Sequence, residues 1–174
     1  MLKIALIIVI ILIVAVVLFA ASRPSTFKVE RSILIKAPAQ NIFSLVNDFH
    51  LWDGWTPYNK DPAMQKTYSG SASGKGAVYA WEGNKEVGKG EIKITDATVP
   101  SSVEMELHMI KPFEGRNKVV FSFTTEGELT RVSWDMDGQQ NLMVKIMGLF
   151  ISMDNMIGRD FEIGLAKLKA LTEK

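Results

Sequence analysis

Asp160 lies one residue before Phe161 and three after Ile157, at the edge of an apolar stripe near the end of the chain. A carboxylate in that position needs a partner or carries a raised pKa, and it is the acid best placed to act as a general base in an apolar pocket. An ion pair, or a hydrogen bond to a backbone group of a sheet, is the simpler reading. The other polar candidates are weaker. His50 stands between Asp48 and Asp53, a spacing that imitates metal ligands, but no second histidine is near and a helix-to-loop stretch scatters the three side chains. His108 alternates with Glu104 and Glu106 on the outer face of a strand, a poor place for a buried base. Gly70-Ser71-Ala72-Ser73-Gly74-Lys75-Gly76 has three residues between its first glycines where a phosphate loop has four, and glycine where that motif needs Ser or Thr. A strand follows it rather than a helix N-terminus, so it reads as a hairpin connection. No Ser-His-Asp set and no paired carboxylates occur at an evident spacing. Cysteine is absent, which excludes disulfides, thiolate nucleophiles and Cys-ligated zinc. The residues call for no metal and no cofactor.

The aromatic residues carry more. Trp52, Trp55 and Tyr58 crowd one loop, Trp81, Phe121 and Trp134 lie on strands, and Phe113 sits between strands as a rim residue. Together with Met136, Met153, Ile157 and Phe161 they are the candidate walls of an apolar ligand pocket, with indole N–H groups as orienting donors. Thioethers suit such an adaptable surface. For Trp52 and Trp55 a second reading stands beside this one, a plug that closes one end of the core.

The element that must position them is the last stretch, Leu142 to Glu173. Leu142, Ile146, Leu149, Phe150, Met153, Ile157, Phe161, Leu165, Leu168 and Leu171 recur at steps of one, three or four, the helical period. One helix over this span is about 45 Å long, with Lys145, Arg159, Glu162 and Glu173 on its outer side. Gly164 falls inside the apolar stripe, where a missing side chain admits something bulky. Ahead of it come strands. Phe27 to Lys36 alternates, Pro38 opens a helix through Phe49, and Ala77–Trp81, Gly90–Thr95, Val103–Met109, Lys118–Thr125 and Thr130–Met136 alternate between turn signals. Consecutive antiparallel strands closed by one long helix make an α+β order.

The chain opens differently. Ile4 to Ala21 contains no polar side chain and spans about 27 Å as a helix, close to the hydrocarbon core of a bilayer. The run exceeds the usual apolar region of a cleaved signal peptide, so residues 1–21 are expected to be an uncleaved single-pass membrane anchor and residues 22–26 a linker. The positive-inside rule nearly ties; a short positive tail before the apolar run favours an extracytoplasmic domain. Without residues 1–21 the chain has 19 basic and 19 acidic side chains. That balance, with no basic cluster, argues against nucleic acid as a partner.

Phe27-x-Val-x-Arg-Ser-Ile-x-Ile-x-Ala-Pro-Ala, Val46-Asn47-Asp48-Phe49-x-x-Trp52-x-x-Trp55-x-Pro57 and Asp61-Pro62 resemble the SRPBCC superfamily. This START-like group includes polyketide cyclases, lipid-transfer domains and the birch-pollen-allergen fold. Tyr79-x-Trp81-x-Gly83-Asn84-x-x-Val87-Gly88-x-Gly90 and Ile157-Gly158-x-Asp160-Phe161-Glu162-x-Gly164-Leu165-x-x-Leu168-Lys169 extend the likeness over residues 27–171. The resemblance implies a helix-grip fold for residues 27–174: a strongly curved antiparallel sheet wrapped around the C-terminal helix, with an apolar cavity between. It implies no single activity. The expected function is binding of a hydrophobic small molecule or lipid in that cavity. A cyclase or dehydratase, and an interaction domain acting on a protein partner, are the two alternatives; no acid or base has the partner that the enzyme reading needs.

Overall fold

The computed structural model describes residues 2–150 and 152–173, without the side chain of Met153. Helix α1 (Leu2–Ser22) leads into strand β1 (Thr26–Ile35), helix α2 (Ala39–Val46) and a 3-10 turn (Phe49–Gly54). Six strands follow: β2 (Gln65–Gly70), β3 (Ala77–Glu82), β4 (Lys89–Thr98), β5 (Ser102–Lys111), β6 (Gly115–Glu126) and β7 (Leu129–Gln139). Helices α3 (Leu142–Met147) and α4 (Met153–Thr172) end the chain. The strands form one antiparallel sheet in the order β1-β7-β6-β5-β4-β3-β2, open between its two edges. The α+β helix-grip architecture expected from the sequence is therefore present.

Register brings the inward residues of the three strands under α4 into rungs. Val29, Met136 and Val119 share one, Arg31, Trp134 and Phe121 the next, and Ile33, Val132 and Phe123 a third. Such cross-strand neighbours are the units of sheet stability. Phe161, Leu165 and Leu168 of α4 close over them, fully buried, while Arg159 stays in solvent as the helical period requires.

Arg31 is the exception on this face, and Gly158 explains it. Any Cβ at Gly158 would collide with the Arg31 guanidinium. Through that gap Arg31 grips Asp154 with two nitrogens, at 3.0 and 2.9 Å, and Glu162 with Nε at 2.8 Å, the bidentate arrangement suited to guanidinium. The hydrogen bond from Arg31 holds the Asp154 carboxyl below its ordinary range. A depressed folded pKa contributes stability above the ordinary carboxylate range, lost as the pH falls through the depressed value. Because Asp154 is half-exposed, the effect is local and small. Acid should shift the amide resonances of Asn155–Gly158 in the wild type, and an Arg31→Met variant should show a smaller shift with a higher midpoint.

The single helix expected over Leu142–Glu173 is corrected to two. Asn141 Oδ1 accepts from the Val144 amide and caps α3, Gly148 closes it, and Ser152 Oγ accepts from the Asn155 amide to start α4 afresh. Caps of this kind contribute roughly 1 kcal/mol each, and the period alone does not register them. At 20 residues, α4 is about 30 Å long. Helix α3 packs on the end of α1 instead of the sheet, with Lys145 Nζ donating to Arg23 O and Ser25 Oγ at 2.9 and 3.0 Å. Beyond this α1 is exposed and apolar, long enough to cross a membrane. Because the core lies between α2, α4 and the sheet, residues 22–174 are expected to fold without α1. Truncated protein that aggregates and melts without cooperativity would place the boundary elsewhere.

Candidate functional site

Five of the candidate residues meet beside α4. The Trp134 ring stacks on Phe161 at 4.1 Å and 9°, lies 4.7 Å from Phe121, and takes the edges of Trp55 at 5.7 Å and Tyr58 at 6.4 Å. Gly164 makes room for it: a Cβ there would come within 2.8 Å of Trp134 Cζ3 and 3.1 Å of Pro57 Cδ. Cζ3 is para to the ring carbon that carries Nε1, so the indole N–H points away from the helix backbone at Gly164. Among the described residues it is a buried donor with no partner, as Asn47 Oδ1 is a buried acceptor with none. Leaving a donor buried and unpaired costs about 1–3 kcal/mol, a cost that a bound acceptor would remove.

The other indoles are satisfied. Trp52 Nε1 donates to Val46 O at 2.9 Å and Trp55 Nε1 to Leu45 O at 3.2 Å. Both rings therefore tie the 3-10 turn and its C-cap to the end of α2, the placement of a plug. Trp81 donates to Val87 O at 3.0 Å and ends a ladder of stacked rings, His50 on Tyr68 on Tyr79 on Trp81, at 4.3, 5.3 and 5.7 Å. Met136 is buried beside Trp134 on β7 and Ile157 is half-buried against the core. Phe113 is exposed on the β5–β6 turn, apart from the rest. The Met153 side chain lies outside the described residues.

A groove of about 700 Å³ opens on the flank of α4, bordered by Pro57, Lys60, Phe150, Met156, Asp160 and Ile163. Pro57 is thus shared between its wall and the packing around Trp134. Asp160, the acid singled out by the sequence, is paired with Lys60 at 3.3 Å, the simpler of its two readings. Burial, and secondarily the Asp160 carboxylate, push the Tyr58 phenol upward, so at neutral pH it is a donor and no base. A second groove, of about 640 Å³, lies where Leu45 and Leu51 face Leu171.

Phe150, Met156 and Ile163 escaped sequence reasoning as groove residues because the helical period marks side chains for the core without saying which one overhangs an opening. The ring ladder left a trace, Tyr79 and Trp81 two apart on β3, but Tyr68 joins it through the pairing of β2 with β3 and His50 from the 3-10 turn. Among the described residues no three His, Asp or Glu side chains gather as a metal site.

A family model described as polyketide cyclase / dehydrase and lipid transport matches residues 26–173. No curated protein matches the chain by sequence. Solved structures share the fold at low identity. Protein CV1439 from Chromobacterium violaceum is 13% identical with a TM-score of 0.61, over 87% of this chain and 99% of that one. Ginseng major latex-like protein 151 from Panax ginseng is 14% identical with a TM-score of 0.63, over 87% and 100%. The di-domain ARO/CYC protein BexL from the BE-7585A biosynthetic pathway is 12% identical with a TM-score of 0.66, over 89% of this chain and 52% of that one. What these structures share with this chain is the fold. With the family model spanning every element from β1 to α4, the chain belongs to the polyketide cyclase/dehydrase and lipid transport family.

Proposed function

We propose that this is a membrane-anchored binding domain, held by α1 on the extracytoplasmic side, that takes up a hydrophobic small molecule or lipid between α4 and the sheet. The observation that carries the reading is the unpartnered Trp134 N–H inside an otherwise apolar aromatic floor, beside a groove rimmed by Phe150, Met156 and Ile163. An apolar site with few polar groups is the usual form of a small-molecule pocket; here the indole is the orienting group, suited to a carbonyl, carboxylate or hydroxyl oxygen. Rotation of Tyr58, exposed beside Trp134, and of Ile157, half-buried against the core, would open the way from groove to floor.

Titration of residues 22–174 with fatty acids, phospholipids and polycyclic aromatics is expected to change tryptophan fluorescence saturably, with much of the change gone in Trp134→Phe. Affinity should rise with acyl length by up to about 0.8 kcal/mol per methylene until the space is filled, less the cost of ordering the chain. A whole panel that leaves both fluorescence and melting temperature unmoved would make the floor a plain filled core and put a protein partner first.

The enzyme reading rests on one observation, the protonated Tyr58 phenol beside the Lys60–Asp160 pair at the groove. Its mark would be a chemically altered compound co-purifying with the wild type, seen by native mass spectrometry, and an unaltered one co-purifying with Tyr58→Phe.

A further inference from the structure

We infer that the end of the domain beside α1 is a second membrane contact, an interfacial surface built from Leu142–Phe150 and the β5–β6 turn. The inference rests on the reading of α1 as a membrane span, and it deepens that reading by stating how the domain sits on the lipid.

Strand register places the parts. Phe27 pairs with Gly138, Gly138 with Asn117, Met109 with Gly115, and Lys89 with Lys111. The start of β1, the end of β7 and the β5–β6 turn therefore lie at one end of the sheet. The same end receives α1, three residues upstream of β1, and sends out α3, two residues after β7. The opposite end carries the β4–β5 and β6–β7 turns.

Large exposed apolar side chains are distributed unequally between these ends. Leu142, Met143, Met147 and Phe150 are exposed on and after α3, and Ile110 at the end of β5 and Phe113 on the β5–β6 turn. Phe150, at 80%, is the most exposed large apolar residue outside α1 among the described residues. At the far end Val99 is exposed on the β4–β5 turn, and Leu51 beside the end of α4. Single exposed apolar residues need no explanation, but a group of six at one end does.

The position of α3 on α1 identifies what covers them. Helix α3 packs against α1 near its C-terminal end, where Ala20 is buried, and Lys145 ties it to Arg23 and Ser25. With Ile4–Ala21 in the hydrocarbon, α3 is at the level of the last turns of α1, at the boundary of acyl chains and headgroups. Its free side chains then continue the apolar surface of α1 without a gap. Amphipathic segments at this depth lie in the plane of the interface. Lys145, on the inner side of α3, reaches back to polar backbone in the way long cationic side chains do at membrane surfaces. Phe150 belongs both to this surface and to the rim of the groove, so the groove opens at the lipid.

The test uses the full chain, whose lack of cysteine allows single labelling sites. Met147→Cys, Phe150→Cys, Phe113→Cys, Glu128→Cys on the opposite β6–β7 turn and Val14→Cys in mid-α1 are each labelled with an environment-sensitive fluorophore. Each is reconstituted into phosphatidylcholine vesicles containing lipids with a nitroxide either shallow or deep on the acyl chain. The labels at 147, 150 and 113 should shift to the blue and be quenched best by the shallow nitroxide. The label at 14 should be quenched best by the deep one, and that at 128 by neither. Deep quenching at 14, with 147, 150 and 113 behaving like 128, would overturn the second contact and leave the anchor standing. No quenching at 14 would overturn the anchor and the contact together.

Discussion

Replacing Phe161 with alanine is expected to destabilise the domain by about 3–5 kcal/mol, the range for large buried aromatic side chains. Phe161 is 1% exposed and lies face to face with Trp134. The space it vacates is bounded by Trp134 and by the backbone of α4, neither of which can close in on it. Arg159, two residues earlier on the same helix, is exposed and lacks an ion pair among the described residues. Its replacement by alanine should stay within about 0.5 kcal/mol. Urea unfolding of the two variants, compared through midpoint and slope, decides the matter. Equal losses would mean that α4 presents a different face to the sheet.

Gly164→Leu should also destabilise, although leucine is a better helix former than glycine by nearly 1 kcal/mol. Propensity loses because of what faces the site. The new Cβ would lie 2.8 Å from Trp134 Cζ3 and 3.1 Å from Pro57 Cδ. Overpacking of a buried contact costs about 1–3 kcal/mol beyond the propensity gain. Either the Trp134–Phe161 stack parts or α4 lifts from the sheet. Near-ultraviolet circular dichroism should lose tryptophan signal together with the fall in denaturation midpoint. A rise in midpoint with an unchanged spectrum would show that Trp134 has somewhere to go, which is itself what a ligand space under α4 would provide. Ligand titration of the same variant then has a clear sense: a filled Gly164 gap that leaves affinity intact would separate the ligand's path from this edge of the indole.

Much of this was written in short-range pattern. Alternation by two fixed the faces of the strands, so that Val119, Phe121, Val132, Trp134 and Met136 could be assigned inward before any pairing was known. The 3.6-residue period did the same for Ile157, Phe161, Leu165 and Leu168, and it placed Gly164 in the stripe and Asp160 at its margin. The unbroken apolar run from Ile4 announced a helix that the domain would leave uncovered. These are statements about which side of an element meets water, and local sequence carries that information because side-chain direction follows backbone period.

What tertiary structure decided is everything that depends on which residues arrive opposite one another. The period runs smoothly through Gly148 to Ser152, yet two caps and the surface offered by α1 turn one helix into two. Trp52, Trp55 and Trp134 are alike as sequence, but the carbonyls of Val46 and Leu45 end α2 within reach of the first two indoles, while the third finds no partner among the described residues. The gap at Gly158 takes its meaning from Arg31, more than a hundred residues away. The apolar end of the sheet exists because strand register brings Phe113 to the same side as Phe150. A sequence specifies each of these residues as apolar, polar or small; the free energy of pairing or leaving them unpaired depends on atoms contributed by distant segments, and only the folded chain brings those within reach.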